Sequence, residues 1–118
     1  MDIHFTARKF RAHKDVRDHA IEEVRKLDKY YDGIVRGDVI LSYERSVASV
    51  KKAEINLHVY GTVLSARECS DDFHKSIGLA VEKLERQLSK YKSKIRKKNK
   101  KALRSVKHEN VPSVVEEE

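Results

Sequence analysis

Lys83, Arg86, Lys90, Lys94 and Lys97 recur at steps of three and four. On a helix that spacing lines ammonium and guanidinium groups into one row. Arg25, Lys26 and Lys29 make a smaller cationic group on an earlier helical stretch. Rows of this kind bind phosphate oxygens; they do not make or break bonds. The residues that could do such chemistry are not grouped for it. Histidines 4, 13, 19, 58, 74 and 108 form no H-x-x-x-H or H-E-x-x-H pattern, and Cys69 is the only cysteine, so there is no zinc-ligand set. Asp71 and Asp72 are neighbouring carboxylates, which the positive end of a helix explains without catalysis. Glycines 33, 37, 61 and 78 are isolated, so no phosphate-cradling glycine loop is present. The expectation is a protein that is not an enzyme, with no catalytic residue, metal, cofactor or small-molecule substrate.

The charge distribution strengthens the phosphate reading. The 118 residues carry a net charge of +7. From Lys90 to Lys107 there are ten lysines and arginines and no acid, whereas residues 1–89 are close to neutral. A solvated charge run is the ordinary explanation of a basic helix, but a run of cations without one acid suits a large polyanion, RNA first. Aromatic content is 7%, and no RNP motif is present, so stacking on single strands in the RRM manner is not expected. Lysines along a rigid helix fit the backbone of structured RNA. No apolar run approaches the ~20 residues of a membrane span. The start, M-D-I-H-F, alternates like a strand rather than a signal segment. With a lone cysteine, this predicts a cytoplasmic protein in a reducing compartment, without membrane contact.

These residues need a scaffold, and its pattern is legible. Residues 2–8 alternate around Ile3, Phe5 and Ala7 and predict a half-buried strand. Val16, Ala20, Val24, Leu27 and Tyr31 predict a helix over 14–31, weakly capped at His13 and closed by Gly33 in the left-handed conformation. Gly37-Asp38 reads as punctuation before a second, central strand over 38–45, with 46–50 as its connection. Residues 51–60 alternate Ala53, Ile55, Leu57 and Val59 against polar partners; Tyr60-Gly61-Thr62 turns the chain into a fourth strand over 63–69. Ser70 is the expected cap of a second helix, whose apolar stripe runs Phe73, Ile77, Ala80, Val81, Leu84, Leu88, Tyr91 and Ile95. Gly78 inside that helix suggests close packing. The fold class is α+β: a two-layer β-α-β-β-β-α sandwich, a four-stranded sheet with both helices on one face. Its three-strand-then-helix part is similar to double-stranded RNA-binding domains. Residues 1–98 form the domain, and 99–118, basic then acidic, a flexible tail.

V-E-K-L-E-R-Q-L-S-K-Y-K-S-K at 81–94, S-D-D-F-H-K-S-I at 70–77, V-R-D-H-A-I-E-E-V-R-K-L-D-K-Y at 16–30, D-V-I-L-S-Y-E at 38–44 and A-E-I-N at 53–56 follow one another at characteristic separations. In these segments the chain resembles the bacterial ribosome hibernation promoting factor and ribosome-associated inhibitor (protein Y) family. Its S-V-K-H-E-N-V-P-S-V-V-E-E-E end resembles the acidic-ended short form. The resemblance implies binding to the small (30S) subunit and 70S ribosome through 16S rRNA in the decoding channel. It implies that mRNA and A- and P-site tRNA are excluded in stationary phase or stress, and that the protein is a monomer off the ribosome. By carry-over, Arg25, Lys26, Lys29, Lys83, Arg86, Gln87, Lys90 and Lys94 face rRNA. The alternatives are a general structured-RNA-binding protein or RNA chaperone, and an interaction protein whose acidic tail folds back on the basic run.

Overall fold

The computed structural model describes residues 1–43 and 50–104, with side chains through residue 95. The elements are β1 (Asp2–Ala7), α1 (Lys14–Arg25), β2 (Ile34–Tyr43), β3 (Lys51–Val59), β4 (Thr62–Ser70) and α2 (Phe73–Arg104); a 3-10 turn, Lys26–Lys29, continues α1. The strands lie in the order β1-β2-β3-β4, with β1 parallel to β2 and the other pairs antiparallel. A parallel pair needs a crossover, and α1 supplies it. The antiparallel pairs close through local connections, that between β3 and β4 being the two-residue turn Tyr60-Gly61, with Gly61 at φ 87°.

Alternation along the strands decides which face is covered. Val39 and Leu41 of β2, Ala53, Ile55 and Leu57 of β3, and Ala66 of β4 are buried in one cluster with Ala20 and Val24 of α1 and Ile77, Ala80, Leu84 and Leu88 of α2. Both helices therefore sit on the same face of the sheet, as the element pattern predicts. The other face is mainly polar, with Ile40 and Val63 among residues such as Asp38, Asn56 and His58. α2 packs on β3 and β4, and α1 lies beside it toward β1. Tyr91 of α2 donates its phenol proton to the Tyr60 carbonyl at 2.5 Å and so ties the helix to the β3–β4 turn.

Several local expectations are corrected. Gly37 is not punctuation but a buried position inside β2, which starts at Ile34. A Cβ there would stand 3.2 Å from both the Val24 side chain and Met1 Sδ, so the missing side chain lets α1 approach the sheet. Gly33 does not adopt the left-handed conformation, which among the described residues occurs only at Lys9 and Gly61. The 3-10 turn ends the helix instead, and Gly33 makes room for the Tyr31 ring, 2.6 Å from where its Cβ would lie. His13 does cap α1, its Nδ1 accepting from the Asp15 N–H at 3.4 Å.

Ser70 remains in β4, paired with Lys51, and Asp72 precedes the first residue of α2. The serine still seats the helix: its Oγ accepts from the Asp72 N–H at 3.2 Å and lies 2.7 Å from Ser76 Oγ. Ser76, fully buried, donates to the Lys51 carbonyl at 2.8 Å. α2 continues through Arg104, inside the stretch read from sequence as tail. Lysine, arginine, alanine and leucine all favour helix, and the first proline is Pro112. The expected end of the second strand at 44–45, its connection at 46–49, and residues 105–118 lie outside the described residues.

A methyl group at Gly78 would meet nothing within 4 Å, so close packing is not the reason for this glycine. Gly78→Ala is expected to raise stability by about 1 kcal/mol through the helix preference of alanine. Urea denaturation followed by circular dichroism checks this; a lower midpoint would reveal a clash that the open space excludes.

Candidate nucleic-acid interface

A cation on a helix that a carboxylate of its own chain holds must give up that pair to meet a partner. On α2 the apolar stripe faces the sheet, and Lys83, Gln87, Lys90 and Lys94 follow at its margin on the side of β4. Two contacts define that side. Lys83 Nζ meets Glu68 Oε2 at 2.5 Å, and Gln87 Nε2 donates to the Ser65 carbonyl at 2.8 Å. Glu68 and Ser65 both belong to β4, the edge of the sheet. Arg86 and Lys90 are exposed and make no ion pair among the described residues. Lys94 is exposed on the same ridge.

Arg25, Lys26 and Lys29 are also exposed, but α2 stands between them and β4. Lys26 is held by Glu23 at 2.7 Å. The hydrogen bond and the charge of Glu23 set its ammonium above the ordinary lysine range, and Glu22 and Glu85 add to the effect. The structure thus gathers five of the sequence-assigned residues on one ridge (Lys83, Arg86, Gln87, Lys90 and Lys94) and sets the α1 group across the helix from them.

Two groups escape the sequence reading. One is on the open sheet face, where Asp38 lies between Arg36 and His58. Arg36 Nε is 3.1 Å from Asp38 Oδ1, and His58 Nε2 is 2.9 Å from Asp38 Oδ2. Alternation along β2 and β3 would have placed these residues on one face, but not in register; the pairing of Arg36 with His58 does that. Across β1, the neighbour of Asp38 is His4. Burial pushes the Asp38 carboxyl up, but hydrogen bonds from His58 and Arg36, with their charge, outweigh it and hold the group below the ordinary aspartate range.

The sign of the pH effect follows. A carboxyl with a lowered folded-state pKa contributes stability above its unfolded pKa, and that contribution is lost as the pH falls through the folded value. Wild type is expected to lose more stability than Asp38→Asn between about pH 5 and pH 2. Urea midpoints across that range check it; parallel curves would overturn it. The second group is the β1–α1 connection, A-R-K-F-R-A-H-K, which has no periodicity to attract notice. Its signal is composition alone.

Among the described residues no three of His, Cys, Asp and Glu gather in a way that could hold a metal ion. Cys69 is free and exposed. What the surface offers is exposed cations on rigid elements, the arrangement that suits a phosphate backbone.

Comparison with known proteins adds an independent line. Residues 3–96 match the family model described as "Sigma 54 modulation protein / S30EA ribosomal protein". A ribosome hibernation promoting factor of Azotobacter vinelandii is 34% identical over 79 residues, 67% of this chain and 71% of that protein. A ribosome hibernation promotion factor of Bacillus subtilis is 30% identical over 83 residues, 70% of this chain; the match spans only 44% of that relative. Among solved structures, a ribosomal subunit interface protein from Coxiella burnetii superposes with a TM-score of 0.71 at 27% identity, covering 79% of this chain and 99% of that one. The N-terminal domain of Thermus thermophilus Protein Y gives 0.67 at 27% identity, covering 77% and 99%.

Proposed function

We propose, because this chain belongs to the sigma 54 modulation protein / S30EA ribosomal protein family, that it is a ribosome hibernation factor. In this reading it binds the small subunit through 16S rRNA in the decoding channel and keeps mRNA and A- and P-site tRNA out. It acts on idle ribosomes in the cytoplasm, by occlusion and without catalysis. The observation that carries the reading is the extent of the family match, which covers the sheet and both helices rather than one motif. The names of the relatives point the same way. The ridge of Lys83, Arg86, Gln87, Lys90 and Lys94 supplies the rRNA contacts, with Arg25, Lys26 and Lys29 as a second group. Residues 99–118 add a basic-then-acidic stretch beyond the matched domain.

The test is sedimentation of the full chain with purified 30S and 70S particles at low salt, together with translation in a purified system. Co-migration and inhibition are expected; absence of both overturns the reading. A general affinity for structured RNA is the second reading, favoured by the lack of any base-reading motif beside the exposed cations. Excess double-stranded RNA, which has no site in the decoding channel, separates the two, because only a general binder is competed off the ribosome by it.

A further inference from the structure

The connection between β1 and α1 places Arg8, Lys9, Arg11 and Lys14 at one end of the domain, outside the ridge on α2. All four are exposed. None makes an ion pair among the described residues, in contrast to Lys83 and Lys26.

The segment is also held rather than loose. The Arg8 N–H donates to the Leu41 carbonyl at 2.9 Å and extends the pairing of β1 with β2. The Phe10 ring stacks on Phe73, 5.3 Å between centroids, and meets Tyr43 edge-on at 5.0 Å. Lys9 sits between these anchors at φ 61°, a left-handed conformation without the help of glycine or asparagine. For such a residue that conformation costs about 1 kcal/mol or more. The sharp turn and the anchored ring fix the backbone that carries the flanking cations, which lowers the entropic cost of binding a polyanion.

The surroundings keep the sign positive. Lys51 lies with its Nζ 5.6 Å from the centroid of the 41%-exposed Tyr43 ring, and Lys75 is exposed in the first turns of α2. The neighbouring acids Asp15 and Asp72 are exposed, 3.8 Å from His13 and 3.9 Å from His74. Asp71 is exposed. Phe10 is half-buried in the aromatic cluster, so the loop presents charge and not an apolar wedge; this disfavours a lipid surface.

We infer that the β1–α1 loop, through Arg8, Lys9, Arg11 and Lys14, is a second phosphate-binding surface for structured RNA. Measured along α2 from Phe73, on which Phe10 stacks, the ridge begins about 15 Å away at Lys83 and reaches Lys90 at about 25 Å, at 1.5 Å per helical residue. Two cationic footings at that separation hold an RNA backbone in one orientation, where a single row would let it slide. The inference rests on the functional reading above only for which RNA is bound.

The test compares full-length Arg8→Gln/Arg11→Gln with Lys52→Gln/Arg67→Gln, an equal loss of charge on the open face of the sheet. Affinity for purified 30S subunits and for bulk tRNA is measured as a function of salt. Circular dichroism confirms that each variant folds. The loop variant is expected to bind roughly 10-fold more weakly at about 0.1 M salt, with a log–log salt slope shallower by about 1 to 2, and the control to keep the wild-type slope. If wild type binds subunits and the loop variant matches it, or matches the control, the loop is not a contact and the hibernation reading stands. If wild type ignores subunits yet binds tRNA with a loop-dependent slope, the loop surface stands and the hibernation reading fails. If it binds neither, both fail.

Discussion

Arg86→Glu/Lys90→Glu is expected to weaken binding to the small subunit at least 100-fold at about 0.1 M salt. Each phosphate contact contributes close to one unit of salt slope, and replacing a cation by an anion adds repulsion to the lost attraction. Both side chains are exposed and free of ion pairs among the described residues, so the change touches no internal contact. Extending the change to Lys83→Glu should complete the loss, but for a mixed reason. It sets a carboxylate against Glu68, now paired with Lys83 at 2.5 Å. A partly exposed pair of this kind is worth about 0–1 kcal/mol, so the fold should survive. Co-sedimentation reports binding, and unchanged circular dichroism shows that the loss is not unfolding. Full-strength binding by the double variant would remove the ridge from the interface.

Leu84→Ala should produce the largest loss of stability. Leu84 is fully buried, in the cluster that joins α2 to β2, β3 and β4. Truncating such a leucine costs about 2–5 kcal/mol, transfer and cavity together. A domain of this size has only about 5–15 kcal/mol in total. At about 4–8 °C per kcal/mol for a small domain, the melting temperature should fall by more than about 10 °C. Thermal unfolding measures it. A fall of a degree or two would mean that α2 does not belong to the cooperative core. Gly78→Ala, earlier on the same helix, should move the midpoint in the opposite direction, which separates packing from helix preference.

How much of this is legible in the sequence depends on the kind of signal. The stripe from Phe73 to Leu88 and the alternation through Ala53, Ile55, Leu57 and Val59 are periodic, and periodic burial follows from backbone geometry alone; both match the observed core. The glycines are another matter. Gly37 lies on the buried face of β2, but a residue without a side chain adds nothing to an apolar period, and the partner that needs the space, Val24, is remote in sequence. Gly33 and Gly78 mislead for the same reason in opposite directions, one crowded and one open. For the candidate site, spacing places the lysines of α2 on one ridge. It cannot tell which of them will meet a carboxylate, because Glu68 reaches Lys83 only once β4 lies beside α2. The β1–α1 loop goes unnoticed because a connection has no period to break.

The Gln87 contact has a consequence for how this protein behaves when concentrated. β4 is an edge strand, and an edge with vacant carbonyls and amides invites another chain to add to the sheet. Gln87 occupies the Ser65 carbonyl, and Lys83 leans across to Glu68, so two side chains of α2 act as a guard rail along that border. The same two side chains belong to the ridge proposed to meet rRNA. On the proposed reading, guarding the sheet edge and gripping the ribosome are alternative employments of one row of residues.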